Sequence, residues 1–153
     1  MKSIYNHIYN IKFRPGIRFN FQEKRPLINL QGYESVIYSQ LPNVVEKLTQ
    51  DRSSRQAVIT VCGDLYEPGA CLISLQFQID VVSETLIVTA NFRSQCEKLG
   101  RPHDELMICS VVDQVRKYMK IDSKKVKITC NVGNYHINPM WYEMTASGHY
   151  PNM

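Results

Sequence analysis

The sequence predicts an α+β fold with a mostly antiparallel or mixed sheet and one long central helix. Runs rich in β-branched and aromatic residues, separated by turn residues, are typical of strands. One segment near residue 110 has the apolar spacing of an amphipathic helix. No internal repeat is visible, and 153 residues are enough for one domain with a buried core. We therefore expect a single domain over residues 1–153.

The first half of the chain contains mixed signals. Residues 1–30 combine aromatic and basic side chains with glycine and proline breakers, which predicts short strands or loops. Residues 35–49 place their apolar side chains at helical spacing. A helix is expected to begin near Pro42, because proline is tolerated in the first turn of a helix. Residues 57–61 (AVITV) predict a buried strand.

The second half alternates strands with one helix. Residues 71–82 (CLISLQFQIDVV), 85–92 (TLIVTANF) and 124–133 (KKVKITCNVG) predict three strands. Residues 104–120 predict the long amphipathic helix, with Asp104 as its N-cap or as an acid in its first turn. The stripe expected to be buried consists of Leu106, Ile108, Val111, Val112, Val115 and Met119.

Composition indicates an ordinary globular protein. Apolar residues make up 44% and charged residues 21% of the chain, and no stretch of eighteen apolar residues suggests a membrane span. The N-terminus lacks the apolar core of a secretory signal, so a cytoplasmic location is the expectation. The five cysteines form no C-x-x-C pair, which argues against a zinc site and against a disulfide framework.

The net charge of +4 is mild and its basic residues are scattered. This charge suits a small ligand that bears a phosphate. A nucleic-acid groove is not expected, because basic and aromatic residues do not recur together as a stacking platform would require.

Four blocks of sequence resemble, in order, the catalytic half of thymidylate synthases and deoxycytidylate hydroxymethylases. The blocks are QGYESVIYSQLPNVVEKLTQDRSSRQAVITV, PGACLISLQF, NFRSQCEKLGRPHDEL and NVGNYHIN, and together they cover about residues 31–140. The resemblance implies a shortened thymidylate synthase-like domain that forms a homodimer and binds a pyrimidine nucleoside monophosphate. Compact relatives of this kind are typical of bacterial viruses, so a phage protein is the expected source.

The resemblance also implies the roles of individual residues. Cys71 matches the thiolate that adds to carbon-6 of the pyrimidine ring, and the Arg93 guanidinium is expected to depress the thiol pKa. Arg93 and Ser94 match the family's phosphate-binding pair. Arg55 matches an arginine that reaches across the dimer to the partner's phosphate. His136 matches a histidine near the substrate sugar and ordered waters.

Two further positions bear on the nucleotide. Asn138 replaces a family tyrosine that holds the sugar hydroxyl. Asp104 stands where relatives acting on deoxyuridylate carry asparagine. A carboxyl group can accept a hydrogen bond from the cytosine amine and, if protonated, donate to the ring nitrogen. This chemistry favours deoxycytidylate over deoxyuridylate, although a plain first-turn acid of a helix remains an alternative for Asp104.

Departures from the family pattern affect the folate side. Cys96 replaces an aspartate that binds the pterin, and no room exists between Leu30 and Gln31 for the usual segment with a catalytic glutamate. The sequence given stops about 17 residues after His136, short of the family's C-terminal lid. Use of 5,10-methylenetetrahydrofolate is therefore doubtful.

Three hypotheses follow from this pattern. The chain is a pyrimidine nucleotide (hydroxy)methylase, a non-catalytic homologue with a binding, regulatory or assembly role, or a half-size subunit that a second protein completes. The joint presence of Cys71, Arg93, Ser94 and Asp104 slightly favours the enzyme.

Overall fold

The computed structural model describes residues 2–21, 30–62 and 70–137, with only the backbone for 30–32. It contains five strands and two helices. In chain order they are β1 (Lys2–Ile11), α1 (Leu30–Gln50), β2 (Val58–Thr60), β3 (Leu72–Asp80), β4 (Thr85–Cys96), α2 (Arg101–Tyr118) and β5 (Val126–Ile137).

The five strands form one mixed sheet in the order β1-β5-β4-β3-β2. The pair β4 and β5 is parallel and the other three pairs are antiparallel. A parallel pair needs a crossover connection, and α2 supplies it between β4 and β5. The α+β class with a mixed sheet is thus confirmed.

The described residues hold two helices of comparable length rather than one dominant central helix. The predicted helix at 104–120 begins three residues earlier, at Arg101, because Pro102 fits the first turn of a helix. Of its expected stripe, Ile108, Val111, Val112 and Val115 are buried, whereas Leu106 and Met119 are only half-buried.

The prediction that a helix begins near Pro42 is wrong. Helix α1 runs from Leu30 to Gln50 with Pro42 inside it. An internal proline removes one hydrogen bond of the helix. Burial of Ile37, Val44 and Leu48, all at 0% exposure, offsets that loss.

The strands near one end of the sheet are longer than their sequence patterns predict. Strand β4 continues through Arg93–Cys96 and β5 continues to Ile137, because the two segments pair with each other in parallel register. Strand β1, expected to be short strands or loop, pairs with β5 along its length.

One face of the sheet is apolar and is covered by the helices. Helix α1 contacts β2 and β3, and α2 contacts both α1 and β4. The largest fully buried side chains include Phe77, Phe92 and Tyr135. In the part of the chain that the structure describes, neither helix is long and apolar enough to cross a membrane.

Candidate functional site

Cys71 lies immediately before β3, where the N-terminal end of α1 meets the sheet. The backbone N–H groups of Cys71 and Leu72 both donate to the Tyr33 hydroxyl, at 3.1 and 3.3 Å. Tyr33 is buried in the first turn of α1. Burial raises the pKa of Tyr33 above its ordinary value, and the nearby Asp104 carboxyl raises it further. The hydroxyl is therefore neutral and fixes the strand end that carries the thiol.

Arg93 lies opposite Cys71 on β4. Its backbone N–H donates to the Cys71 carbonyl at 2.8 Å, and its side-chain Nε donates to the Ala70 carbonyl at 3.0 Å. The guanidinium is thereby held against the segment that bears the thiol. Arg93 is nevertheless an exposed residue, so an anion from solvent can reach it.

Gly133 permits the close packing of β5 behind Arg93. A Cβ atom at Gly133 would lie 3.1 Å from the Arg93 carbonyl oxygen, closer than ordinary van der Waals contact. Packing therefore explains the glycine at position 133, because a side chain there would displace the backbone of Arg93.

The Cys71 thiol experiences opposing electrostatic influences. Burial raises the pKa of Cys71 most strongly, the Arg93 guanidinium lowers it, and the Asp104 carboxyl and Cys62 raise it. The net pKa lies above the ordinary thiol value, so the resting group is protonated. Cys71 therefore lies within electrostatic reach of both Arg93 and Asp104, and these three side chains together are called the cleft triad below.

Asp104 is buried in the first turn of α2, and Gly100, not Asp104, is the N-cap. The Gln95 side chain donates through Nε2 to Asp104 Oδ2 at 2.8 Å. Burial raises the pKa of Asp104 to about 7, with Glu105 adding to the rise and the Gln95 hydrogen bond opposing it. Near neutral pH the carboxyl group is consequently divided between its protonated and ionised forms.

A polar network behind Asp104 was not anticipated from the sequence. The Tyr9 hydroxyl donates to Gln95 Oε1 at 2.7 Å. The Arg101 guanidinium lies 3.8 Å from the centre of the Tyr9 ring and donates to the Tyr135 hydroxyl at 3.0 Å. Its Nε also donates to Glu105 at 3.0 Å.

One local signal for this network exists. A strand normally alternates between buried and exposed side chains, but both Gln95 and Cys96 at the end of β4 are buried. A glutamine followed by a cysteine at the end of an apolar strand is a weak pattern. The partner Tyr9 is 86 residues away, and no local pattern could identify it.

Ser94 and His136 lie at the same end of the sheet as the cleft triad. Ser94 pairs with Asn134 across β4 and β5, and Cys96 pairs with His136. The His136 Nδ1 atom is 3.4 Å from Asn134 Oδ1. Burial lowers the pKa of His136, so its imidazole is neutral at pH 7.

Arg55 does not join this group within one chain. It is exposed in the turn before β2, and its carbonyl accepts from Gln76 Nε2 at 3.3 Å. Gln76 is five residues along β3 from Cys71, which corresponds to roughly 17 Å. Asn138 lies outside the described residues.

Cys96 is the position that the sequence resemblance assigns to the folate side. Cys96 is 7% exposed at the end of β4, and a buried thiol is a poor acceptor for a pterin N–H group. Among residues 2–21, 30–62 and 70–137, no group of three histidine, cysteine or acidic side chains could hold a metal ion.

No protein-family model matches the sequence, and no curated protein matches it. The crystal structure of the thymidylate synthase from phage T4 is similar, with a TM-score of 0.60, 16% sequence identity, and coverage of 82% of this chain and 44% of that one. The fold is thymidylate synthase-like. The chain spans less than half the length of that synthase, and at this identity the similarity shows the fold alone.

Proposed function

We propose that the chain binds a pyrimidine deoxynucleotide at the cleft triad and activates its base by thiolate addition, as in nucleotide methylases and hydroxymethylases. The observation that carries this proposal is the convergence of a half-buried thiol, an exposed guanidinium and a buried carboxyl group of raised pKa at one end of the sheet. Perturbed titratable groups that gather in this way are typical of functional sites.

The first chemical step uses Cys71. Its thiol gives its proton to solvent water, and the resulting thiolate sulfur forms a bond to carbon-6 of the ring. The π electrons of the carbon-5–carbon-6 bond move to carbon-5. In uracil the negative charge is shared with the carbonyl oxygen at position 4, and in cytosine it is shared with ring nitrogen 3. Carbon-5 becomes nucleophilic as a result. Arg93 favours the thiolate because its positive charge lowers the pKa of Cys71 against the effect of burial.

The phosphate is assigned to Arg93 and Ser94. A guanidinium binds phosphate through charge-assisted hydrogen bonds, and a hydroxyl group adds a further donor. Arg55 lies beside Gln76, at the far part of β3 from Cys71, and is too distant to bind the same phosphate within one chain. It fits a second role, in which a homodimer directs Arg55 of each copy toward the phosphate bound by its partner.

Asp104 is assigned to the base. With a pKa of about 7, its carboxyl group is partly protonated at neutral pH, so it can donate from one oxygen and accept at the other. Cytosine presents an unprotonated ring nitrogen and an amine, which this pair complements. Deoxycytidylate is therefore the favoured substrate. His136, which is neutral, suits the position of a water organiser near the sugar.

The one-carbon step of the family requires 5,10-methylenetetrahydrofolate. Because Cys96 does not fit a pterin, no step through folate is assigned to this chain. Carbon-5 of the Cys71 adduct can take a proton from water and then give its original hydrogen to water. Departure of the Cys71 sulfur from carbon-6 restores the carbon-5–carbon-6 double bond, and this exchange of hydrogen with solvent is the activity proposed for the chain.

A second candidate is a non-catalytic homologue that binds nucleotide without addition. It is favoured by one specific observation: the pKa of Cys71 is above its ordinary value, which leaves the resting thiol protonated. A phosphate bound to Arg93 would partly neutralise the guanidinium charge, so Arg93 would lower the pKa of Cys71 less.

Release of tritium from carbon-5 separates the two candidates. Deoxycytidylate and deoxyuridylate, each labelled at carbon-5, are incubated with the full chain, and tritium in water is counted. We expect release from deoxycytidylate to exceed release from deoxyuridylate, and Cys71→Ser to abolish both. Cys62→Ser is the control and should retain activity. Binding without release would support the non-catalytic candidate, and no binding of either nucleotide would overturn the proposal.

A further inference from the structure

A line of buried and half-buried side chains from three strands ends at Asp104. Tyr9 on β1 donates to Gln95 Oε1 on β4 at 2.7 Å, and Gln95 Nε2 donates to Asp104 Oδ2 at 2.8 Å. Cys130 on β5 lies close to Tyr9 at the far end of this line. Gln95 is 2% exposed, so water does not compete for its amide. These residues are called the Tyr9–Gln95 relay below.

The relay has a direction. A neutral tyrosine hydroxyl carries one proton, and burial raises the pKa of Tyr9 far above its ordinary value, so that proton is retained. The proton is committed to Gln95 Oε1. An amide has an acceptor end and a donor end, so the NH₂ group must face Asp104.

This direction determines where Asp104 carries its own proton. Asp104 Oδ2 receives a hydrogen bond from Gln95 and cannot point a proton at the same NH₂ group. When the carboxyl group is neutral, the proton therefore lies on Oδ1. Oδ2 keeps a second lone pair as an acceptor.

The location of the proton bears on base selection, because cytosine and uracil present opposite patterns. Cytosine offers an acceptor ring nitrogen beside a donor amine, and uracil offers a donor N–H beside an acceptor carbonyl. A neutral carboxyl group whose proton moved freely between its oxygens would match both bases. We propose that Tyr9 and Gln95 are positioning residues that hold the Asp104 proton on Oδ1, toward the ring nitrogen, and thereby select cytosine. This inference rests on the proposed nucleotide function.

In the described part of the chain, four titratable groups lie within electrostatic reach of Asp104. They are Glu105 on its own helix, Tyr33 on α1, Cys71 beside β3 and Cys130 on β5. Burial raises the pKa of Cys130 to about 12 and that of Tyr33 also lies above its ordinary value, so neither carries charge near neutral pH. Glu105 is bound by Arg101 at 3.0 Å. The carboxyl group of Asp104 is thus the titrating group whose state the relay controls at neutral pH.

The test compares nucleotide affinities of the full chain and two relay variants. Calorimetry measures the dissociation constants of deoxycytidylate and deoxyuridylate between pH 5.5 and 8.5. Gln95→Met removes the amide and should reduce the cytosine preference roughly tenfold, the value of about one hydrogen bond. Tyr9→Phe leaves the amide free to rotate and should reduce the preference by a smaller factor. Tyr5→Phe, on the exposed part of the same strand, is the control.

The pH profile distinguishes positioning from a general structural role. Because the Gln95 hydrogen bond lowers the pKa of Asp104, its removal should move the pH at which deoxycytidylate affinity declines to a higher value. Equal loss of affinity for both nucleotides with an unmoved pH profile would overturn the inference and leave the proposed function intact. Failure of the unmodified chain to bind either nucleotide would overturn both. If Gln95→Met does not fold, the ratio of the deoxycytidylate and deoxyuridylate dissociation constants in Tyr9→Phe tests the inference by itself. An unchanged ratio would then overturn it.

Discussion

Helix α2 buries one aspartate near each end, and the pKa values of the two carboxyl groups are shifted in opposite directions. Asp104, in the first turn, is paired with the uncharged amide of Gln95, and burial raises its pKa to about 7. Asp113, nine residues later, accepts from the Gly16 backbone N–H at 3.0 Å and from Arg116 at 2.6 Å. Burial acts to raise the pKa of Asp113 as well, but these partners outweigh it and hold the pKa below the ordinary value.

The opposite pKa shifts indicate that the Asp113 carboxylate stabilises the fold, whereas the Asp104 carboxyl group is adapted to binding or catalysis. Asp113 joins the segment after β1 to α2 with its charge compensated. Among the described residues, Asp104 is hydrogen-bonded to the uncharged amide of Gln95 and lies near the like charge of Glu105, so its ionised form is unfavourable. Proteins retain unfavourable groups of this kind mainly at functional sites.

The largest expected effect concerns the pH dependence of stability at Asp104. Its pKa is about 7 in the folded chain and about 3.9 when unfolded, so the folded state binds more protons between these values. The stabilising contribution is fully present below about pH 4 and is lost as pH rises through about 7. Relative to Asp104→Asn, the free energy of unfolding should fall by roughly 4 kcal/mol across this window. Urea titrations of both proteins at several pH values measure it, and parallel curves would contradict it.

The next effect tests the other end of the helix. Asp113→Asn should lower the free energy of unfolding at pH 7 by about 3 kcal/mol, because it leaves the half-buried Arg116 without its partner. Since the pKa of Asp113 is depressed, this stabilisation is present above about pH 4 and is lost as pH falls further. Asp104→Asn at pH 8 is the matched comparison and should be neutral or stabilising. Equal losses in the two variants would show that the ends do not differ.

The smallest effect concerns the hydroxyl that supports Cys71. Tyr33→Phe leaves the backbone N–H groups of Cys71 and Leu72 without their acceptor and should cost about 1 to 2 kcal/mol. Tyr38→Phe is the control, since the Tyr38 hydroxyl accepts from a side-chain donor, Gln114, rather than from the backbone of a strand. Thermal unfolding compares the two variants. A smaller loss in Tyr33→Phe than in Tyr38→Phe would argue against a specific role of Tyr33.

The fold was largely predictable from local patterns, and its exceptions have long-range causes. Strand β3 and helix α2 follow their apolar periodicity closely. Pro42 misplaced the start of α1, because burial on the helix face outweighs the local penalty of proline. Strand β1 has no clear alternation, and its pairing with β5 depends on residues more than a hundred positions away.

The site was only partly predictable. Motif order indicated Cys71, Arg93 and Asp104, and the structure places Cys71 within electrostatic reach of the other two, while the roles of all three remain predictions. It could not indicate that the Asp104 carboxyl is held by Gln95 and, through it, by Tyr9, because a hydrogen bond across three strands leaves no periodic signal. The role of Arg55 depends on a second copy of the chain and remains a prediction.

Protection of Cys71 from alkylation tests the cleft triad most directly. The full chain is treated with iodoacetamide at pH 7 with and without deoxycytidylate, with inorganic phosphate and deoxyribose as separate controls, and labelling of each cysteine is read by peptide mass spectrometry. The account predicts that the nucleotide slows labelling of the half-buried Cys71 at least tenfold and that Arg93→Gln removes most of this protection. Equal labelling of Cys71 at saturating and zero nucleotide would contradict it.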